Sequence, residues 1–231
     1  YACIKNRGMH KACLDVQKAM KHCKRIWNNY YIIKMDVRKY FDSIDKNILY
    51  KIISKKIQDE KLLKVIKQII YSTEGAKGQP IGNYTSQTFA NIYLNEMDQY
   101  AKHILELKYW YRYMDDMIAI VRTKQEAIDK LTKIRKFLKE KLDLELNSKT
   151  QIFKSKQGVN FCGYKINEYR LKTRDKGKKK FKKKVKKLLN EIKEGKITSK
   201  DARIYLTGHI GYFETANTYN LKKEIFFSEM I

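Results

Sequence analysis

The chain has 231 residues, 43% of them apolar and 12% aromatic, which is enough to bury a core and too apolar for a disordered segment. Its 51 Lys and Arg against 25 Asp and Glu give a net charge of +26. Such an excess calls for an anionic partner, with nucleic-acid phosphate the commonest and an anionic membrane surface the alternative. No apolar run approaches membrane-spanning length and no charged-then-apolar leader opens the chain, so no membrane partner is expected. The four cysteines (Cys3, Cys13, Cys23 and Cys162) form no CxxC pair, which fits a reduced, cytoplasmic setting without structural zinc.

In chain order, residues 9–26 place apolar side chains at helical spacing with Lys and Arg on the other face, so a helix is predicted there. Tyr31–Val37, dense in Ile and aromatic residues, reads as a short strand that carries Asp36 and leads into Tyr40 and Phe41. Asp45–Ile57 and Glu60–Tyr71 read as helices. Gly75–Gly82 holds the sole proline, Pro80, and three of the ten glycines, which predicts a shaped loop. A helical pattern resumes over 85–101. Lys108–Tyr113 and Met117–Val121 are short apolar or aromatic runs joined by Asp115 and Asp116, the pattern of a hairpin with an acidic turn. A helix is predicted over 124–142, then short strands around 144–153, 159–164 and 165–171. Between 170 and 187, twelve of eighteen residues are Lys or Arg, and helices are predicted at 185–194, 199–207 and 218–229. This change of composition sets a boundary near 172 between a mixed α/β body and a basic helical unit.

Asp36, Asp115 and Asp116 all fall at strand ends. Carboxylates gathered there repel one another unless a hard divalent cation joins them. Mg²⁺ suits such a set, since it takes one or two carboxylates together with water and phosphate oxygens. Two ions about 4 Å apart, Mg²⁺ or in its place Mn²⁺, stabilise both the attacking and the leaving oxygen of an in-line phosphoryl transfer. Taken alone, Asp-Asp is also an ordinary hairpin turn. The surrounding motifs decide between the two.

Tyr113-Met114-Asp115-Asp116 resembles the YxDD signature of reverse transcriptases, and it lies in the strand–turn–strand context that signature has. KMDVRKYFDSI resembles the first aspartate motif of that family. Its metal-binding aspartate falls on Asp36, and the bulky residue standing where a ribonucleotide 2′-hydroxyl would be falls on Phe41, a residue that core packing alone would also explain. LELNSKT resembles the motif whose lysine lies near the triphosphate, here Lys149, a general acid toward the leaving pyrophosphate. NFCGY resembles the primer grip, here Phe161, Cys162, Gly163 and Tyr164. The resemblance implies an α+β right-hand polymerase: a palm at 31–171, made of antiparallel sheet backed by helices, a basic helical thumb at 172–231, and an incomplete fingers-to-palm segment at 1–30. It implies RNA-directed DNA synthesis with template RNA, an RNA–DNA hybrid and deoxynucleotide triphosphates as partners.

The stretch QPIGNYTSQ looks like the enzymes of diversity-generating retroelements, whereas retroviral and group II intron enzymes usually carry Pro-Gln-Gly at this place. Ile81, Gly82 and Gln87 are then nucleotide-binding residues, although a plain turn into a helix also explains the first two. Isoleucine offers shape where glutamine offers a hydrogen bond, so weaker base discrimination is expected. YACIKNRGMHKAC resembles the segment linking fingers to palm in that subgroup. With a first residue of Tyr1 rather than Met, this implies a fragment without the preceding fingers strands. TGHIGYFETANTYNL resembles the helical thumb. The subgroup implies a bacterial or phage retroelement, a structured template RNA and a small basic accessory protein. Retron, group II intron and phage-defence reverse transcriptases are the alternatives within the class. A non-catalytic RNA-binding module, resting on the +26 charge, is the alternative outside it. Lys176–Lys187 reads as a surface for backbone phosphate on an A-form duplex rather than as a merely solvated face.

Overall fold

The period-two alternation of the strand sequences sorts residues to two faces of a sheet, and that sorting builds the site. The computed structural model describes residues 1–80, 82–214, 216 and 218, which divide into two units, 1–157 and 158 onward. In the first unit the order is α1 (Met9–Trp27), β1 (Tyr31–Asp36), the short α2 (Tyr40–Ser43), α3 (Lys46–Ser54) and α4 (Glu60–Ile70). There follow α5 (Tyr84–Gln99), β2 (Tyr109–Tyr113), β3 (Asp116–Val121), α6 (Lys124–Leu142) and β4 (Gln151–Lys154). The strands form an antiparallel sheet of order β2-β3-β1-β4.

Ile33 and Met35 of β1, with Met117, Ala119 and Val121 of β3, pack into one core with Leu49 of α3, Phe89 and Tyr93 of α5, and Ile134 and Leu138 of α6. Burying each such aliphatic or aromatic side chain is worth about 1.5–3 kcal/mol. α1 lies against β2 and β3, with Ala12, Val16, Ala19 and Met20 on its buried face at helical spacing. The helix starts follow local chemistry. Asp45 caps α3 through Ile48 N–H at 2.9 Å, Asp59 caps α4, and Thr123 caps α6 through Glu126 N–H at 3.1 Å.

In the second unit β5 (Val159–Phe161), β6 (Tyr164–Ile166) and β7 (Leu171–Thr173) form an antiparallel meander, followed by α7 (Asp175–Lys193) and α8 (Ser199–Glu214). The helix expected to begin at 185 begins at Asp175. Phe181, Val185 and Leu188 recur at spacings of four and three and meet Ala202, Leu206 and Phe213, so a buried stripe runs through the lysine-rich stretch. The lysine density hid that stripe. The division between units, at 157/158, also differs from the composition change near 172, because β5–β7 pair with one another and carry little of the lysine run. The helix expected over 218–229 lies outside the described residues but for Thr218. The architecture is α+β, with antiparallel sheet backed by helices.

Candidate active site

Register places the carboxylates. Asp36 stands opposite Asp116, and Asp116 opposite Tyr113, so one row crosses β1, β3 and β2. The next row on that face, two residues inward, is Lys34, Ile118 and Tyr111. Tyr113 and Asp116 close a two-residue turn of Met114 and Asp115, which brings the third carboxylate to the same edge. Met114 takes a φ of +52°, a left-handed conformation that costs a residue with a Cβ roughly 1–2 kcal/mol.

The carboxylates do not share one environment. Asp115 is held above the usual carboxylate range, first by burial and then by the neighbouring Asp36, with which it also shares a side-chain hydrogen bond. Asp116, diagonal to Lys34 on the same face, pairs with that ammonium group instead. Among the described residues no three His, Cys, Asp or Glu side chains lie close enough to form a metal-holding group. Asp36 and Asp115 meet, while Asp116 at the same edge turns to Lys34. The donor set nonetheless fits a hard divalent ion. Burial and the neighbouring Asp36 disfavour the ionised form of Asp115 at this partly buried edge, and a divalent cation supplies the charge that would favour it.

Two other expected residues are tied to this edge by backbone. Asn147 N–H donates to the Asp36 carbonyl at 2.7 Å, and the Asn147 side chain accepts from Lys149 N–H at 3.0 Å, so the turn bearing the exposed Lys149 is pinned beside Asp36. Phe41 is the second residue of the short α2 after β1, half-buried, 5.7 Å from Tyr40 between ring centroids. Its carbonyl accepts from Gln79 N–H at 2.9 Å, and Gly78 N–H donates to the Ile44 carbonyl at 2.8 Å. The glycine-rich loop is thereby stitched to the Phe41 segment. Gly78 (φ +98°) leaves its Cβ position 3.8 Å from the Asp42 carbonyl, within ordinary contact, so its conformation rather than the space selects glycine.

Of the expected nucleotide-binding residues, Gly82 is exposed with φ +105°, and Gln87, on the first turns of α5, accepts from the Cys3 thiol at 3.3 Å. Ile81 lies outside the described residues. Phe161, Cys162, Gly163 and Tyr164 belong to the second unit. Cys162 and Gly163 form the two-residue turn of the β5–β6 hairpin, both at positive φ, and Phe161 and Tyr164 are buried beneath it.

Sequence reading missed two groups. Lys46, fully buried, donates to the carbonyls of Thr73, Glu74 and Gly75 at 2.6, 3.2 and 2.8 Å. Nothing marks it among 51 basic residues. Arg112 sits on the core face of β2 beside Trp110, clamped by Asp98 at 2.6–2.9 Å. It was legible, since a charged residue at a core position of an alternating strand demands a buried partner.

The family model described as reverse transcriptase (RNA-dependent DNA polymerase) matches residues 1–166, and the chain belongs to that family. It is 22% identical over 220 residues to the putative COX1/OXI3 intron 2 protein of Saccharomyces cerevisiae, covering 67% of this chain and 25% of that protein. It is 24% identical over 201 residues to protein YkfC of Escherichia coli, covering 69% and 52%. The chain therefore spans only a quarter to a half of these relatives. Among solved structures it is similar to telomerase from Candida albicans in complex with a fragment of telomeric RNA, with a TM-score of 0.59, 12% identity, and 76% and 38% of the two chains covered. The apo telomerase of Candida tropicalis truncated from its C-terminal domain gives a TM-score of 0.57 at 18% identity, covering 71% and 39%. At these identities the likeness shows the fold.

Proposed function

We propose that this chain is the palm and thumb of an RNA-directed DNA polymerase that copies template RNA into cDNA by two-metal nucleotidyl transfer. The observation that carries it is the convergence of Asp36, Asp115 and Asp116 on one strand-end edge, in the strand–turn–strand setting of the family. Asp36 and Asp115, with Asp116 once released from Lys34, would hold Mg²⁺. The bound ions supply the charge that activates a primer 3′-hydroxyl and stabilises the departing pyrophosphate. Phe41 limits space at the sugar, which favours deoxynucleotides. Lys149, exposed on a turn fixed to Asp36, gives a proton to the leaving pyrophosphate. Phe161–Tyr164 form the primer grip.

The exposed lysines of α7, Lys179, Lys180, Lys182, Lys183, Lys186 and Lys187 among them, hold an RNA–DNA hybrid by its backbone. Within the class, Pro80-Ile81-Gly82 favours an error-prone enzyme of a bacterial or phage diversity-generating retroelement, with a small basic accessory protein as partner. A template repeat and a matching variable gene in the flanking DNA would support that subgroup, and their absence would remove it.

Primer extension on RNA with Mg²⁺ and deoxynucleotides tests the activity. The full protein makes cDNA, and Asp115→Ala with Asp116→Ala lowers the rate by at least about 10³-fold, the scale on which such electrostatic groups act. Equal product from wild type and the double variant would sink the reading. The charge of +26 supports a second reading, RNA binding without catalysis. It predicts no cDNA from the intact protein and salt-sensitive RNA binding that survives loss of all three aspartates.

A further inference from the structure

Strand pairing fixes Asp36 and Asp116, but Asp115 sits in the turn, outside the ladder. Its direction depends on the peptide plane between Met114 and Asp115. That plane is rigid, so whatever holds the Met114 carbonyl also fixes the Asp115 N–H on its far side. The Met114 carbonyl accepts from Arg112 Nη1 at 3.1 Å.

Arg112 is itself held on three nitrogens. Its Nε lies 2.9 Å from both carboxylate oxygens of Asp98, and Nη2 lies 2.6 Å from Asp98 Oδ2. Nη1 also donates to Asn91 Oδ1 at 3.1 Å, and Nη2 to the Asn91 carbonyl at 3.4 Å. Asp98 and Asn91 lie two turns apart on α5, whose Phe89, Ala90, Tyr93 and Leu94 are locked into the core. Trp110 Nε1, from the same face of β2, also donates to Asp98 Oδ1 at 2.7 Å. The pair is largely withdrawn from solvent, with side-chain exposures of 11% for Arg112 and 24% for Asp98.

We propose that Arg112, braced by Asp98 and Asn91, is a positioning residue for Asp115: it transmits the rigidity of α5 to the left-handed Met114 turn and so aims the carboxylate toward the metal. This rests on the reading of Asp115 as a metal ligand. The fork geometry is what the role needs. A lysine keeps the charge, but one ammonium cannot span the Asp98 carboxylate and the Met114 carbonyl while also bonding Asn91. The ligand aimed is a hard divalent cation, which tolerates little displacement of its oxygens.

The test is direct binding of Mn²⁺, read from the electron-spin signal of the free ion, on the full protein without nucleotide. Arg112→Lys and Asp98→Asn each weaken Mn²⁺ binding by about tenfold, the size typical for loss of an outer residue that orients a ligand. The double variant loses little more than either single one, since the two act as a unit. Leu138→Ala, on the core face of α6, lowers thermal stability without moving Mn²⁺ affinity and so marks what mere destabilisation does. Where Arg112→Lys fails to fold, Asp98→Asn gives the same reading. In primer extension, Arg112→Lys lowers kcat and raises the Mg²⁺ needed for half-maximal rate, with KM for primed RNA unchanged.

Asp115→Asn separates the positioning role from the ligand role. If it weakens Mn²⁺ binding while Arg112→Lys and Asp98→Asn bind Mn²⁺ as wild type does, the positioning role is overturned alone. If Asp115→Asn itself binds Mn²⁺ normally, the metal-ligand reading falls with it.

Discussion

Lys46 shows what one residue can do unannounced. Its ammonium group replaces water for three carbonyls just beyond the end of α4. Lys46→Met keeps the stem and removes the donor, leaving three carbonyls to be resolvated. It is expected to destabilise the first unit by about 3 kcal/mol, measured by urea unfolding. Since Lys46 N–H also pairs with Ala76, and Gly78 and Gln79 pair with Ile44 and Phe41, the loop expected to flank the nucleotide loses its anchor first. Faster amide exchange at residues 73–79 than elsewhere in the variant would verify this, and uniform exchange would refute it. No pattern in the sequence separates this lysine from the other basic residues, because its role depends on carbonyls that lie far along the chain, at Thr73, Glu74 and Gly75.

Gly158, by contrast, is a residue whose identity the backbone dictates. At φ +65° a Cβ there would sit 2.6 Å from the Ile166 carbonyl. Gly158→Ala is expected to cost the second unit about 2–3 kcal/mol, combining strain with displacement of the β6 backbone, and to appear as a lowered midpoint in chemical unfolding.

At the level of elements, α7 carries two messages in one stretch, and composition shows only the louder. Phe181, Val185 and Leu188 face α8, while the exposed lysines between them face away. The two faces should separate experimentally. Phe181→Ala removes a buried ring lying 4.5 Å from that of Phe213 and should cost about 3–5 kcal/mol with little change in the salt dependence of RNA binding at temperatures where the variant is folded. Lys182→Gln with Lys183→Gln and Lys186→Gln should leave unfolding within about 0.5 kcal/mol of wild type per site. It should reduce the slope of log K against log salt by roughly two to three, about one for each phosphate no longer neutralised. A variant that bound more weakly by the same factor at all salt concentrations would argue against phosphate pairing on this face. β1, β2 and β3 were more legible, since alternation and the acidic turn both point to a hairpin beside a third strand. What alternation could not show was which way Asp116 turns, because that depends on Lys34 across the sheet.

For the molecule as a whole, the sequence carried the class of fold and the order of its motifs. The separation into units escaped it, because composition follows charge whereas the units follow strand pairing. The charge of +26 is shared by both readings of function and discriminates between them only when the aspartates are varied.

The sorting of side chains in β2 has a consequence for how such a chain can change over generations. Tyr109, Tyr111 and Tyr113 share one face, and Trp110 with Arg112 the other. Adding or losing one residue between 109 and 113 would exchange the two sets, taking the arginine away from the Asp98 carboxylate and turning tyrosines toward it. Substitution is open to this strand; a change of length by one is not. A library of single-residue insertions across the gene should therefore show a sharp trough of tolerance over β2 and β3, flanked by permissive stretches at 55–59 and 195–198, where the chain runs between helices. Variation in length among related chains is expected to collect in those connections, so that the hairpin serves as a fixed ruler from which they can be aligned.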